Sequence, residues 1–440
     1  MPAPSLILVP TRFTTGKLYT PLATTSDGTV LGASGDFNVT RATTATRVNA
    51  SGLIELVASG IPRLDYLASG GTVGCPALLV EPSAQNLVLQ SSDYLVSPTW
   101  LLSNLNSTSG ITSPSGTNDA LLLEATTTSP RLRQNITLTS GTTYTFSWFG
   151  KFGSISSGFA MNVFDENSTS YGSGVCQAFN LNEGTLGASG TVGAGFTLQS
   201  AGMENYGNGW YRCRMTVLMG YTPATPRVGM RIGTQISGGR PLGVLSGTVN
   251  LWGAQLEVGS VATSYIPTTT AAVTRNADVV AVSGAVSGAI GQTEGTIYAE
   301  VDMRNLGTSV SIMNVQTTSY VSGTVRIETT ASNQLRIQIR DASGTSRLDN
   351  TITTPTISAG INKIAVGYSS DASGVVTALN GTIINTTTVS ASFGTLGANR
   401  VYLGTRETAG FQDLFFNNRI RPTALYTTRL TNAQLQALTT

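Results

Sequence analysis

Three features of the sequence predict an all-β fold: an extended amino-terminal arm followed by two tandem antiparallel β-sandwich (jelly-roll) domains, with one short C-terminal helix. Thr, Val, Ile and aromatic residues alternate with polar ones over short runs. Clusters of Gly, Ser, Asn and Pro separate those runs at regular intervals. No helical pattern is interspersed, which favours stacked antiparallel layers over a parallel α/β sheet.

The elements follow in chain order. Residues 1–95 hold isolated apolar stretches among Thr, Gly and Pro, too scattered for a core of their own, and are read as an arm that packs on a neighbour or anchors the chain. Residues 96–270 are read as the first sandwich. Within it, Tyr144, Phe146 and Trp148 share one strand face opposite Thr145 and Ser147, the pattern of a half-buried strand. From Trp210 to Val217 the residues Tyr211, Cys213, Met215 and Val217 oppose Arg212, Arg214 and Thr216, and a one-residue slip would drive both arginines inward. The Thr-rich stretch 267–274 reads as a connector. Residues 271–440 are read as the second sandwich, long enough, like the first, for a two-layer core. There Ile297, Ala299, Val301 and Met303 alternate with Tyr298, Glu300 and Asp302, while Leu335, Ile337 and Ile339 alternate with Arg336, Gln338 and Arg340, each implying one wet face. Asn380-Gly381 supplies two residues that tolerate positive φ, the signal for a tight hairpin. The helix is predicted at the end, where Thr431 to Gln434 forms a capping box and Leu430 and Leu435 can form a hydrophobic staple.

Composition narrows the chemistry. Only 11% of the 440 residues are charged, against roughly 25% in an ordinary soluble protein. Lysine occurs only at Lys17, Lys151 and Lys363, and histidine is absent. Ser-His-Asp and Cys-His mechanisms and imidazole-based zinc sites are thereby excluded. A net charge of +2 gives no basic field for nucleic acid. No apolar run approaches the roughly 20 residues of a membrane helix, and Met1 to Pro10 lacks the pattern of a leader, so a soluble chain without membrane insertion is expected. Cys75, Cys176 and Cys213 fit neither a disulfide framework nor a zinc knuckle and are read as buried free thiols.

Several separated strings carry a resemblance. They are Arg41-Ala-Thr-Thr-Ala-Thr-Arg47, Pro62-Arg63-Leu64-Asp65-Tyr66, Cys75-Pro76-Ala77-Leu78-Leu79-Val80-Glu81-Pro82, Gly209-Trp210-Tyr211-Arg212, and Leu251-Trp252-Gly253-Ala254-Gln255-Leu256-Glu257 running into Ala262-Thr263-Ser264-Tyr265-Ile266-Pro267. In that order they resemble a group of tailed-bacteriophage virion proteins found as fibre, spike or head-decoration components. The resemblance implies a jelly roll similar to carbohydrate-binding modules in the middle of the chain. It also implies a place on the virion after assembly in the host cytoplasm, contacts with capsid or tail proteins, and trimers. The last third resembles concanavalin A-like (laminin-G-like) sandwiches, through Gly295-Thr-Ile-Tyr-Ala-Glu300, Asn362-Lys-Ile-Ala-Val-Gly-Tyr368 and Arg421-Pro-Thr-Ala-Leu-Tyr426. That fold often binds glycans at loop tips, although fold alone does not give function.

Trp148, Trp210 and Trp252 lie within strand patterns and are read as core. Tyr171, Tyr206, Tyr221, Phe411 and Phe416 lie in loops or near turns and are the candidates for exposed platforms against a sugar ring. Arg41, Arg47, Arg63, Asp65 and Glu81 stand in a charge-poor region where an unpaired ion is costly, so mutual ion pairs clamping the arm to its neighbour are expected. No catalytic or metal-ligating residue is assigned, and no cofactor. Asp36, Asp371, Asp413 and Asn417 could donate oxygens to calcium, but their spacing matches no loop motif. Sheet edges are commonly guarded by Lys and inward charges, and their scarcity here predicts a homo-oligomer.

The expected function is a non-enzymatic virion component that projects from the particle and contacts host-surface glycans repeatedly. Two alternatives stay open. One is a tailspike-type depolymerase using paired carboxylates, for which Glu300 and Asp302 share a strand face but a third acid is missing. The other is a capsid-stabilising decoration protein that binds no sugar.

Overall fold

The computed structural model describes the chain apart from residues 97, 128, 155–157, 168–169, 243–246 and 372–373, and gives the backbone alone for residues 69, 167 and 170–172. It is all-β, as the alternation predicts, with antiparallel sheets throughout and one α-helix, Asn432–Thr439.

The middle sandwich stacks two six-stranded sheets. One runs in the order Leu101–Ser103, Arg131–Asn135, Pro226–Ile232, Phe159–Asn167, Ser170–Asn180, Thr185–Val192; the other in the order Leu105–Ile111, Ala120–Ala125, Gly247–Val258, Thr143–Phe152, Trp210–Met219, Phe196–Asn205. Phe146, Trp148, Cys213, Met215 and Val217 point between the sheets and are fully buried. Trp148 anchors this core: its indole N–H donates to the Tyr94 hydroxyl at 2.7 Å, and Tyr94 meets it edge-on at 5.4 Å between ring centroids. The opposite face of the strand Thr143–Phe152 is not wet as its alternation suggests. Thr145 and Ser147 are fully buried, because the segment 259–264 folds over them: Gly259 carbonyl accepts from the Thr145 hydroxyl at 2.8 Å, and Arg212 bridges Ser147 to the Thr263 carbonyl.

The second sandwich stacks two nine-stranded sheets, and it is discontinuous in sequence. Leu6–Leu8 pairs with Asn418–Tyr426, Phe37–Thr40 pairs with Val279–Ser283, and Val73–Val80 pairs with the other end of Asn418–Tyr426. Residues 6–80 therefore do not project as an arm. Leu6, Leu8, Leu18, Phe37, Val39 and Val80 join Ile297, Val301, Ile327 and Ile337 in one core, and burial of these large side chains, each about 1.5–3 kcal/mol, holds the segment in place. The face carrying Arg336 and Gln338 is also partly closed. Gln338 is buried beside Arg326, whose guanidinium stands over the Tyr320 ring at 4.9 Å.

Local signals at the end of the chain hold. Asn380 and Gly381 take φ of 47° and 81° between the paired residues Leu379 and Thr382, the mirror-image turn that matches strand twist. Thr431 and Gln434 close the capping box, and Leu430 and Leu435 pack together under the helix. Cys176 and Cys213 are buried thiols, whereas Cys75 is exposed, because the strand Val73–Val80 enters the core only from Ala77 onward.

Candidate functional site

A hairpin from the amino-terminal segment, Ala45–Val48 paired with Ile54–Val57, lies against the outer face of the middle sandwich. Val48 and Ile54 pack there with Phe149, Trp210, Trp252 and Tyr265. The aromatic rings lock one another: Phe149 meets Tyr206 edge-on at 4.9 Å, and Trp252 lies 4.5 Å from Tyr265.

Next to this cluster, between the two sandwiches, is a cleft of about 370 Å³. Its walls come from the hairpin, from the end of Phe196–Asn205 and the first half of Trp210–Met219, from residues 302–305 at the end of Glu294–Met303 and just beyond it, and from Asn417 and Arg419. Pockets for small molecules fall in the range of about 300–1,000 Å³.

The carboxylates in this wall are all bridged to guanidiniums. Asp65 receives Arg419 Nε at 2.8 Å and the Val48 amide at 3.0 Å; Glu204 and Asp302 each receive Arg304 at 2.8 Å; Glu81 receives Arg63 at 2.6 Å and the Ser264 amide at 2.7 Å. Burial acts to raise the Glu81 carboxyl, but Arg63 and Arg275 outweigh it and hold the group at about 2.

Several donors and acceptors in the same wall have no partner among the described residues. They are Arg47 Nη1, Arg212 Nε, and both side-chain polar atoms of Asn417. Arg214 makes no hydrogen bond or ion pair with any described residue. Its guanidinium lies along the backbone of Gly202, where a Cβ would come within 3.0 Å of it; glycine at that position lets the charge reach the cleft. Buried polar groups in folded proteins are almost always satisfied, so a cluster of unmet ones facing a cavity marks a place for a polar ligand.

No family model matches the chain, and no curated protein matches it. Solved structures do. The CBM40 domain of the Ruminococcus gnavus IT-sialidase, solved with α2,3-sialyllactose, is 17% identical over 35% of this chain and 86% of its own, with a TM-score of 0.32. The NanB sialidase from Streptococcus pneumoniae is 12% identical over 36% of this chain and 26% of its own, TM-score 0.32. A heptameric SAP-like pentraxin from Limulus polyphemus is 12% identical over 33% of this chain and 69% of its own, TM-score 0.27.

Of the aromatic candidates whose side chains are described, only Phe411 is broadly exposed, at 80%, next to the turn of the hairpin Arg406–Thr408/Phe411–Asp413. Tyr206 is half-buried at the cleft, with its ring face already engaged by Phe149. Tyr221 is half-buried against Phe196 and donates to Asp165 at 3.1 Å. Phe416 is fully buried, a correction to its reading as a platform: left-handed residues at Leu414 and Asn417 and a bond from its amide to Gly404 turn the ring into the second core. The Tyr171 side chain lies outside the described residues.

The charged candidates lie together at the junction. Arg63 is fully buried and joins Glu81, Asp278 and the Ser264 hydroxyl; Arg41 pairs with Asp278 at 2.9 Å; Arg275 approaches Glu81 at 3.4 Å; Arg47 pairs with Glu55 at 2.8 Å on the rim. Of the four oxygens considered for calcium, Asp36 accepts the Thr20 amide at 2.7 Å, Asp413 pairs with Arg406, and Asn417 lines the cleft. Among the described residues no three carboxylate or thiol groups gather as a metal site.

Sequence reasoning missed Asn417 as a cleft residue, and missed Arg304, Arg419 and Asp278 as partners. The one available signal was the pair Arg212 and Arg214 on the strand face that also carries Trp210.

Proposed function

We propose that this chain is a non-catalytic saccharide-binding protein of a tailed-phage particle, and that the cleft between the sandwiches is where the sugar binds. The observation that carries the reading is that one cavity beside an aromatic wall is lined by three residues with unmet hydrogen-bonding groups, Arg47, Arg212 and Asn417, and by Arg214, which has no hydrogen bond or ion pair with a described residue. A sugar presents alternating hydroxyls to such groups and apolar C–H edges to the aromatic wall beside them.

The carboxylates of the cleft support binding without hydrolysis. A glycosidase needs an acid held protonated beside an ionised partner, and here each cleft carboxylate is neutralised by an arginine. Glu257, whose carboxyl burial pushes up, is 1% exposed and bound to Thr263, out of reach of a substrate.

The virion setting is supported by the ordered strings from Arg41 to Pro267. Self-association is supported by two sheet edges, Leu105–Ile111 and Thr185–Val192, which are mostly exposed and carry no charge. The test is a glycan array probed with the full chain, followed by incubation of any bound polysaccharide and assay for new reducing ends. Binding without new ends is expected; silence on the array, or released oligosaccharide, overturns the reading. Labelling of intact particles with antibody against the chain tests its station.

A further inference from the structure

The cleft wall contains more cationic groups than its own carboxylates satisfy. Arg419 is matched to Asp65, Arg304 to both Glu204 and Asp302, and Arg47 to Glu55. Arg63 and Arg275 hold Glu81 from behind. Two arginines remain. Arg212 has no carboxylate within ion-pair distance; it donates to the Thr263 carbonyl and, at 3.1 Å, to the Ser147 hydroxyl, and it stands over the Phe149 ring at 5.3 Å, leaving its Nε unmet. Arg214, two residues along the same strand face, makes no hydrogen bond or ion pair with any described residue; Glu204, already bridged to Arg304, attracts it at longer range, and its neighbour Arg212 repels it.

Arg212 is buried and Arg214 half-buried; two adjacent guanidiniums with no directly paired carboxylate repel each other and are poorly solvated, which costs free energy in the empty protein. An anion between them removes both costs. Guanidinium forks match a carboxylate in particular, through paired N–H donors. Resting on the saccharide reading of the cleft, we infer that the ligand is an acidic sugar whose carboxylate is held by Arg214, with Arg212 supplying a second positive charge and Asn417 reading a neighbouring hydroxyl or amide.

The experiment is calorimetric titration of the full chain with oligosaccharides ending in glucuronate, galacturonate or N-acetylneuraminate, each beside its carboxyl-reduced neutral counterpart. At least one acidic form is expected to bind at least tenfold more tightly than its reduced form. Arg214→Gln is expected to erase that preference with the melting temperature nearly unchanged, because no hydrogen bond or ion pair within the fold is lost. Arg336→Gln, which removes an exposed arginine paired with Asp349 on the second sandwich, is expected to keep the preference. Equal binding of acidic and reduced forms, or a preference that survives Arg214→Gln, overturns the acidic-sugar inference while leaving saccharide binding intact. Absence of binding by every member of both sets overturns this inference and the saccharide reading together.

Discussion

Arg63 donates to both carboxylate oxygens of Asp278 across 215 positions of sequence. Through the same guanidinium it holds Glu81 and Ser264, so one buried side chain ties the amino-terminal segment to the segment that follows Gly247–Val258 and to the residue just before Val279–Ser283. Removing one member of a buried ion pair leaves an uncompensated charge, which costs about 3–5 kcal/mol. Arg63→Ala is therefore expected to destabilise the second sandwich by that amount in urea denaturation. Arg47→Ala, at the rim where Glu55 is 35% exposed, is expected to cost less than about 1 kcal/mol. Equal losses for the two would contradict the assignment of Arg63 as the junction.

Acid sensitivity follows from Glu81. Its carboxyl sits at about 2 in the folded chain against an ordinary value of 4.5, burial acting upward and Arg63 and Arg275 downward. A folded value below the unfolded one means the stabilisation is present above about 4.5 and is lost as pH falls from there toward 2. Glu257 works in the opposite sense, since burial pushes it up and protonation relieves it. Comparing the parent with Glu81→Gln isolates the first effect. The stability gap between them, about 3 kcal/mol at pH 7, should shrink below pH 4.5 and nearly close by pH 2, read as melting temperature against pH.

Inside the middle sandwich, Tyr94 and Trp148 form a pair whose polar atoms have been withdrawn from water: both rings are fully buried, and the indole N–H meets the phenol oxygen at 2.7 Å. Tyr94→Phe keeps the ring and strands the indole donor. The expected loss is about 1–3 kcal/mol, with a change in near-ultraviolet circular dichroism from Trp148. A loss below about 0.5 kcal/mol would mean that another acceptor replaces the phenol.

Short-range signals in the sequence carried the all-β class, the Asn380-Gly381 turn and the Thr431 cap, because each depends on residues within one strand, turn or helix end. The alternation of Ile297, Ala299, Val301 and Met303 likewise placed those side chains in a core. What the sequence did not reveal depends on contacts made far along the chain. Nothing near Leu6 indicates that it will sit beside Leu425, and nothing near Thr145 indicates that residues 259–264 will cover it. Phe416 looked like a loop residue because its neighbours are turn formers, yet it is those left-handed turns at Leu414 and Asn417 that aim it inward. The cleft itself was illegible for the same reason: its wall joins residues near 47, 204, 214, 304 and 417.

Asn417 offers the most direct test of the cleft. Its φ of 48° is left-handed, and both polar atoms of its carboxamide lack a partner among the described residues. Glycine accepts that backbone conformation without strain, so Asn417→Gly removes the amide while keeping the turn that buries Phe416. Stability should change by less than about 1 kcal/mol, since no hydrogen bond within the fold is lost. Saccharide affinity should fall about five- to tenfold, the worth of one or two hydrogen bonds in a cleft. Both quantities come from one preparation, by denaturation and by calorimetry against the best array ligand. Unchanged affinity at unchanged stability would remove Asn417 from the binding surface and move the search to the exposed ring of Phe411.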